Sequence, residues 1–401
     1  DVELSSSVAL RREGSIHVED GVNLLTGAER GDGDGMDGSG SGEDRGHDKH
    51  LSSDVQTFIN TLISFVGAGL LGIPYAFRQG GLFLSLGVMC GVGLISTYCM
   101  WLLLRCKYHL AAKSAVTYGA ICEHALGRFG LLLVEGSLVI TQTGFSTAYL
   151  VFISRNINQL FSLSKGPVVM ACMPGLVVLC LMRHLKYLAP FSLLAEVVNM
   201  VGLAVVYVND FEFYELNHEQ ISMGHLPALP FVFGVAVYCY EGMGMVLPIE
   251  NSMLNKKRFM PVLCLVMFLF TSMCATTGAF GYLAFGDETQ DIILLNMGVT
   301  VYSKMVKISF CVGLYFTFPI MMTPVWEVLE LKFLSPQAPS FERRRDLVRT
   351  SLVALTGLVA CIVPNFGLFI SLIGSSCCSL LAFILPPLCF DRLVSAPAAA
   401  A

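Results

Sequence analysis

Long apolar stretches separated by short polar ones cover most of the chain. Most of them are close to the roughly 20 residues that an α-helix needs to cross the hydrocarbon core of a bilayer. The pattern predicts an all-α polytopic membrane protein with about ten spans, and an interfacial helix at 116–128. We place the spans at 55–77, 80–104, 131–153, 167–182, 187–208, 227–248, 259–285, 304–329, 347–364 and 366–390.

Glycine and proline interrupt the first and the sixth stretch at matching places. The run from Val66 to Pro74 has three glycines before its proline, and the run from Glu241 to Pro248 has two. Both residue types weaken a helix, and backbone groups freed inside a membrane must face protein or a watery cavity. Either run alone is also explained by close packing of small residues or a proline kink. The pair predicts helix breaks at 67–69 and 241–244 and indicates a transporter site between two repeats.

Lysine and arginine are distributed unevenly between the two sides of the predicted bundle. With the N-terminus in the cytoplasm, 14 of them fall in cytoplasmic loops, against three in the opposite loops and two at the mouth of the eighth span. The positive-inside rule therefore predicts a cytoplasmic N-terminus. Spans one and six then run in opposite directions, which predicts a five-plus-five inverted-repeat, leucine-transporter-like helical bundle with broken helices 1 and 6.

Composition divides the chain into three parts. Residues 1–54 hold 13 acidic and five basic side chains and are predicted to be a disordered acidic cytoplasmic tail. Residues 55–390 form the predicted transmembrane transport domain, and 391–401 a short tail. The 14 cysteines are scattered through apolar segments, so we expect neither a disulfide framework nor a metal site. No Asn-x-Ser/Thr sequence occurs, which favours an organelle membrane over a heavily glycosylated cell surface.

Five sequence runs resemble the amino acid/auxin permease family, and most closely its proton-assisted members and its plant-type vacuolar transporters of neutral and aromatic amino acids. They are TFIN at 57–60, VGAGLLGIPYAF at 66–77, TQTGF at 141–145, YCYEGMGMVLPIEN at 238–251 and GYLAFG at 281–286. The family usually has eleven spans, so the resemblance implies that a last span is missing. Proton-assisted members often carry a histidine where this chain has Asn60, so that route for proton coupling is not expected here.

An amino acid substrate is a zwitterion, so its site needs donors for a carboxylate and acceptors for an ammonium group. The half-helix that starts at the first break offers free N–H groups and a positive dipole end, and the second break offers free carbonyls. Nearby aromatic side chains would line the pocket, although ordinary core packing explains each of them as well. The predicted substrate-binding residues are Gly67, Ala68, Gly69, Cys239, Tyr240, Glu241, Gly242, Phe65, Phe145 and Tyr315.

Carboxylates inside a span are costly, by about 3 kcal/mol on insertion scales, so each one is a candidate for function. Glu241 lies at the second break and is the leading candidate for carrying a coupled proton, with a structural role as an acceptor left open. Glu135 and Glu196 are the other candidates, and packing or an inter-helix hydrogen bond is the alternative for Glu196. Proton coupling is expected, with sodium as the alternative.

These observations predict a secondary active transporter of neutral amino acids, with aromatic substrates left open. The alternative is an amino acid sensor that binds its ligand and signals through the acidic tail with little transport. The spans contain no paired carboxylates, His-rich helix or Ser/His arrangement, so an enzyme is not expected. The expected partners are the amino acid, the coupling ion and the bilayer, with no nucleic acid and no cofactor.

Overall fold

A computed structural model describes residues 52–110, 117–182, 189–216, 221–298, 300–334 and 340–395. For 189–196 and 212–216 it describes the backbone only. Within these ranges the chain is helical and contains no strand beyond one isolated bridge, Ser52 to Met253. Nearly all of the predicted acidic tail and residues 396–401 lie outside the described residues, so that part of the domain division stays a prediction.

The helices follow one another with short connections. Because the first and sixth are each broken in two, we label their halves a and b. The helices are α1a (Asp54–Phe65), α1b (Ala68–Gly80), α2 (Leu82–Leu110), α3 (Tyr118–Phe161), α4 (Lys165–Leu181), α5 (Ala189–Leu216), α6a (Leu229–Cys239), α6b (Met243–Ser252), α7 (Phe259–Phe285), α8 (Val301–Met321, extended by Thr323–Phe333), α9 (Phe341–Ile362) and α10 (Phe366–Ser395).

The length and composition of these helices confirm a multi-pass membrane protein. Among the described residues six helices are long and apolar enough to cross a bilayer, or seven when the bent pair α1a and α1b counts as one span. Helix α4 and the apolar part of α5 are shorter, and α9 starts with a charged turn that contains Arg343, Arg344 and Arg345. Each predicted span has a helix, while the count of ten membrane crossings stays a prediction.

Both predicted helix breaks are present. The first lies at Val66 and Gly67, where the chain is extended (φ −143°, ψ −174° at Gly67) and α1a meets α1b at 45°. The second lies at 240–242, between α6a and α6b. The sequence predicted breaks at 67–69 and 241–244, so both begin one residue earlier than expected. The first N–H groups of α1b and α6b and the last carbonyls of α1a and α6a therefore lack helical partners.

Helix packing has the pattern expected of two five-helix repeats. Helices at equivalent positions touch across the bundle, namely α1 with α6, α2 with α7, α3 with α8 and α4 with α9. The contact of α5 with α8 is matched by that of α3 with α10, and the contact of α1 with α7 by that of α2 with α6. The match is incomplete, because α6a packs along α10 whereas α1 and α5 touch less. The packing supports the predicted five-plus-five architecture.

The free ends of α1a and α6b are joined to each other. The Ser52 N–H donates to the carbonyl of Ser252 at 2.7 Å, and the N–H of Leu254 donates back to the Ser52 carbonyl at 3.1 Å. Next to this pairing, Arg258 forms an ion pair with Asp54 at 2.9 Å. We call this contact the joint. It connects two half-helices that are distant in the sequence, since Asp54 and Arg258 are 204 residues apart.

Candidate functional site

The backbone at the first break faces open space. A Cβ atom added to Gly67 would have no heavy atom within 4 Å beyond its chain neighbours. Gly69, two residues on, is different, because a Cβ there would lie 2.8 Å from the Tyr238 ring and 3.1 Å from Cys239 Sγ. Gly67 is therefore exposed beside open space, whereas Gly69 allows α1b to pack closely against α6a.

Aromatic rings bring the two breaks together. A Cβ added to Gly242 would lie 2.4 Å from the Phe65 ring, so the second break closely approaches the end of α1a. The rings of Phe65 and Tyr240 both pack on Phe270 of α7, each with a centroid distance of 5.4 Å. Phe270 was not among the predicted site residues, because nothing in the sequence around it distinguishes it from the other apolar residues of the seventh span.

Helix α3 also contributes an aromatic side chain next to the two breaks. Phe145 packs edge-on against Tyr238 with ring centroids 4.5 Å apart, and Tyr238 is the ring that contacts Gly69. Nine of the ten predicted substrate-binding residues thus lie at the breaks or one ring away from them. We call this cluster the break site, formed by residues 65–69, residues 239–242, Phe145 and Phe270.

Tyr315 is the one predicted substrate-binding residue that the structure does not bring to the break site. Its hydroxyl donates to the Cys172 carbonyl of α4 at 3.2 Å. Its ring borders an apolar cavity of about 470 Å³ between α4 and α8, together with Gly175 and Phe316. The side chain points from α8 toward α4, so we leave it out of the proposed site.

Among the described residues, several of the buried polar atoms that lack a hydrogen-bond partner lie at the second break or on helices that contact it, while others lie elsewhere in the bundle. Buried polar groups in proteins nearly always have a partner, so such a group of atoms indicates a place where a ligand or water binds. The helices that carry these atoms, α1a and α3, both contact α6b. The atoms are Thr57 Oγ1 and Asn60 Nδ2 on α1a, Gln142 Oε1, Thr143 Oγ1 and Ser146 Oγ on α3, and Glu241 Oε2 at the second break.

The three candidate carboxylates have very different surroundings. The Glu241 carboxylate lies against the backbone N–H of Met243 at the start of α6b, and no lysine or arginine pairs with it in the part of the chain that the structure describes. Glu135 instead forms an ion pair with Lys332 at 2.7 Å, with the two side chains 27% and 39% exposed. Glu196 lies on α5, but its side chain falls outside the described residues.

A buried ion pair at the C-terminal end of α6b was not predicted. Glu250 is fully buried and pairs with Lys107 of α2, while the Tyr108 hydroxyl donates to Glu250 Oε1 at 2.6 Å. Lys107 also donates to Asn251 Oδ1 at 2.5 Å. Lys107 lies beyond the predicted second span, which ends at 104, so its burial was not expected. Its position at the end of a long apolar helix was the only local signal that it could be buried.

A second buried carboxylate, that of Asp291, connects α3 to the start of α10. Asp291, in the connection between α7 and α8, accepts from Arg155 of α3 at 2.8 Å and from the Phe366 N–H at the start of α10 at 2.8 Å. Helix N-termini favour negative charge, so this carboxylate caps α10. Asp291 lies between the predicted seventh and eighth spans, so a role as a helix cap was not expected.

Replacing Lys107 is expected to destabilise the protein. A Lys107→Met variant leaves the Glu250 charge buried and uncompensated, and breaking a buried ion pair in this way costs about 3–5 kcal/mol. Thermal unfolding in detergent should show a clear loss of stability, partly restored when Glu250→Gln is added. Lys332→Ala, which removes the exposed pair with Glu135, is the control and should change stability by about 1 kcal/mol or less. Equal effects of both lysine variants would contradict a special role for burial.

Comparison with known families identifies the chain. Residues 50–398 match the family described as "Transmembrane amino acid transporter protein". The chain belongs to this family. The match covers all the described helices together with the break site, and it confirms the resemblance drawn from the five sequence runs. Members of the family are transporters, so the chain is a multi-pass amino acid transporter and not an enzyme.

Three relatives from Arabidopsis thaliana are similar over most of their length. Amino acid transporter AVT3B is 36% identical over 86% of this chain and 86% of its own. Amino acid transporter AVT3A is 37% identical over 84% and 81%, and amino acid transporter ANT1 is 37% identical over 84% and 83%. All three carry amino acid transport in their names, which agrees with the family assignment.

One solved structure aligns with most of the chain. It is a substrate-bound, outward-open Na⁺-coupled sialic acid symporter, with a TM-score of 0.46 and 7% identity over 82% of this chain and 87% of that one. A score at this level does not show a shared fold. The architecture given above rests on the helix breaks and on the helix packing alone.

Proposed function

We propose that this family member is a proton-coupled secondary transporter of neutral amino acids that binds the main-chain part of its substrate at the break site. The observation that carries this proposal is the Gly67 backbone, which faces open space where two broken helices meet. A residue at this position could carry a side chain without clash or strain, yet the space beside it is left open.

The two breaks offer complementary groups to a zwitterion. The N–H groups of Ala68 and Gly69 lie at the start of α1b, beside the open space at Gly67. A helix N-terminus carries partial positive charge, so these groups suit a carboxylate. The carbonyls at the end of α6a, near Cys239 and Tyr240, suit an ammonium group. Because backbone groups make both contacts, the site accepts the part that all amino acids share.

The side chain of the substrate would meet mainly aromatic rings. Phe65, Phe145, Tyr240 and Phe270 surround the breaks, and such a lining favours apolar or aromatic side chains over charged ones. This lining supports neutral amino acids as the substrate class and includes aromatic ones among them.

Glu241 is the group that we propose to carry the coupled proton. A buried carboxylate without a cationic partner is costly when charged, so its protonation depends on whether water and substrate have access to it. Glu135 lacks this property because Lys332 and solvent stabilise its charge. A sodium ion held by carbonyls at the breaks is the alternative source of coupling.

The proposed setting is a vacuolar or lysosomal membrane with residues 1–54 as a cytoplasmic tail. The excess of basic residues in one set of loops supports this orientation, and the lack of Asn-x-Ser/Thr sequences supports an internal membrane. Residues 55–390 would form the transport domain.

The direct test is uptake by the purified protein reconstituted into liposomes. An imposed pH gradient is expected to drive accumulation of neutral amino acids, because each pH unit supplies about 1.4 kcal/mol per proton. A panel of neutral, acidic and basic amino acids defines the substrate class, and a sodium gradient at constant pH tests the alternative ion. Exchange of labelled amino acid without any accumulation under either gradient would contradict coupled transport.

A further inference from the structure

A polar cavity lies at the end of α1b that is far from the break site. It has a volume of about 450 Å³ and is widely open. Helix α1b has 13 residues, so this cavity is about 20 Å from the break at Gly67. We call it the entrance cavity. Its lining consists of Arg78, Gln79, Ser222, Gly224, His225 and Asp287.

The walls of the entrance cavity are held together by backbone hydrogen bonds. The loop that precedes α6a accepts from Leu82 at the Ser222 carbonyl at 3.0 Å, and the His225 N–H donates to the Gly80 carbonyl at 2.7 Å. Gly81 has φ +77°, and a Cβ there would lie 2.6 Å from the Gly224 nitrogen. Glycine at this turn therefore lets the loop reach the end of α1b and form one side of the cavity.

Arg78 and Asp287 place opposite charges on the same cavity without forming an ion pair. Arg78 donates to the Thr289 carbonyl at 3.0 Å and lies over the Tyr75 ring at 5.7 Å, which fixes the guanidinium in position. Asp287 follows the end of α7 and is exposed. A ligand with both a carboxylate and an ammonium group would therefore find an oppositely charged side chain for each of them in the same cavity.

We propose that the entrance cavity is a binding site for the zwitterionic main-chain part of an amino acid, occupied before the substrate reaches the break site. The Arg78 guanidinium holds the carboxylate, for which its planar N–H groups are well suited. Asp287 accepts from the ammonium group, and Gln79, Ser222 and His225 supply further hydrogen-bonding groups. This inference rests on the proposed transport function, but the occupancy of the cavity can be measured without transport.

The test uses a cysteine as a reporter inside the cavity. Ser222→Cys is introduced into a Gly67→Leu protein, in which the break site is blocked, and the rate of modification by a membrane-impermeant thiol reagent is followed by mass spectrometry. Glycine, the smallest zwitterion, is expected to slow the modification severalfold at millimolar concentration. Propionate and ethylamine, which carry only one of the two charges, are expected to have little effect.

Matched controls separate occupancy from other causes. Met223→Cys lies on the same loop but does not line the cavity, so its modification should not respond to glycine. Arg78→Gln and Asp287→Asn should each remove the protection, and Asp287→Asn is the safer variant because that side chain is exposed. Protection by propionate or ethylamine equal to that by glycine, or protection that survives both variants, would overturn the proposal. Absence of gradient-driven uptake in the unmodified protein would count against the proposed function alone.

Discussion

Gly67→Leu is expected to reduce amino acid uptake by at least about tenfold, to near background, while the protein still folds. Tenfold corresponds to about 1.4 kcal/mol of lost binding. The physical reason is that the leucine side chain fills the space that the substrate main chain needs. The backbone at Gly67 is extended, which any residue can adopt, and an added Cβ meets no neighbouring atom. Folding should therefore be unaffected by strain or clash.

Uptake into liposomes and thermal stability in detergent are measured on the same preparations. Gly87→Leu is the matched control, because Gly87 also has no atom within 4 Å of an added Cβ but lies on α2 away from the breaks. That variant should transport normally. Gly69→Leu should fail in a different way, by loss of stability, since its side chain would collide with Tyr238. Normal uptake by Gly67→Leu would remove the first break from the substrate site.

Glu241→Gln is expected to abolish accumulation driven by a pH gradient while exchange of amino acid across the membrane continues. The amide cannot bind and release a proton, so the gradient has nothing to act on. With one proton per substrate, a gradient of one pH unit supports about tenfold accumulation in the unmodified protein, since it is worth about 1.4 kcal/mol. In the variant the ratio should fall to about one, because the gradient's contribution of about 1.4 kcal/mol is lost.

Uptake and counterflow exchange are compared in the same vesicles. Glu135→Gln makes the same chemical change in a solvent-accessible ion pair and should keep accumulation intact. Loss of both uptake and exchange in Glu241→Gln would assign this residue a structural role, as a carboxylate whose acceptor oxygens hold the loose backbone of the second break. Retention of both would move coupling to another group, with Glu196 or a sodium ion as the next candidates.

The helix breaks could be predicted because their causes are local. Glycine and proline act on their own backbone, so the runs at 66–74 and 241–248 indicated where helices 1 and 6 would end. The different roles of Gly67 and Gly69 could not be predicted in the same way. They depend on whether a neighbouring helix stands behind each residue, and only the packing of α6a against α1b decides that.

Side-chain partners from distant segments account for the other misses. Lys107 and Glu250 are 143 residues apart, and nothing near either residue indicates its partner. Glu327 was overlooked although it falls inside the predicted eighth span. Tyr315 was expected at the substrate because of its type and its span, but the rotation of α8 turns it toward α4. A hydropathy pattern gives the presence of a helix and not the direction of each side chain.

The joint at Ser52 couples α1a to α6b. Any displacement of one half-helix pulls the other through the paired backbone and the Asp54–Arg258 contact. A change of angle at one break would therefore be passed through the joint to the other half-helix. The N–H groups proposed to bind the substrate carboxylate belong to α1b, and the carbonyls proposed to bind its ammonium group belong to α6a. These are the two half-helices that the joint does not include. Both proposed contacts with the substrate would therefore stay together on α1b and α6a while α1a and α6b move as a pair.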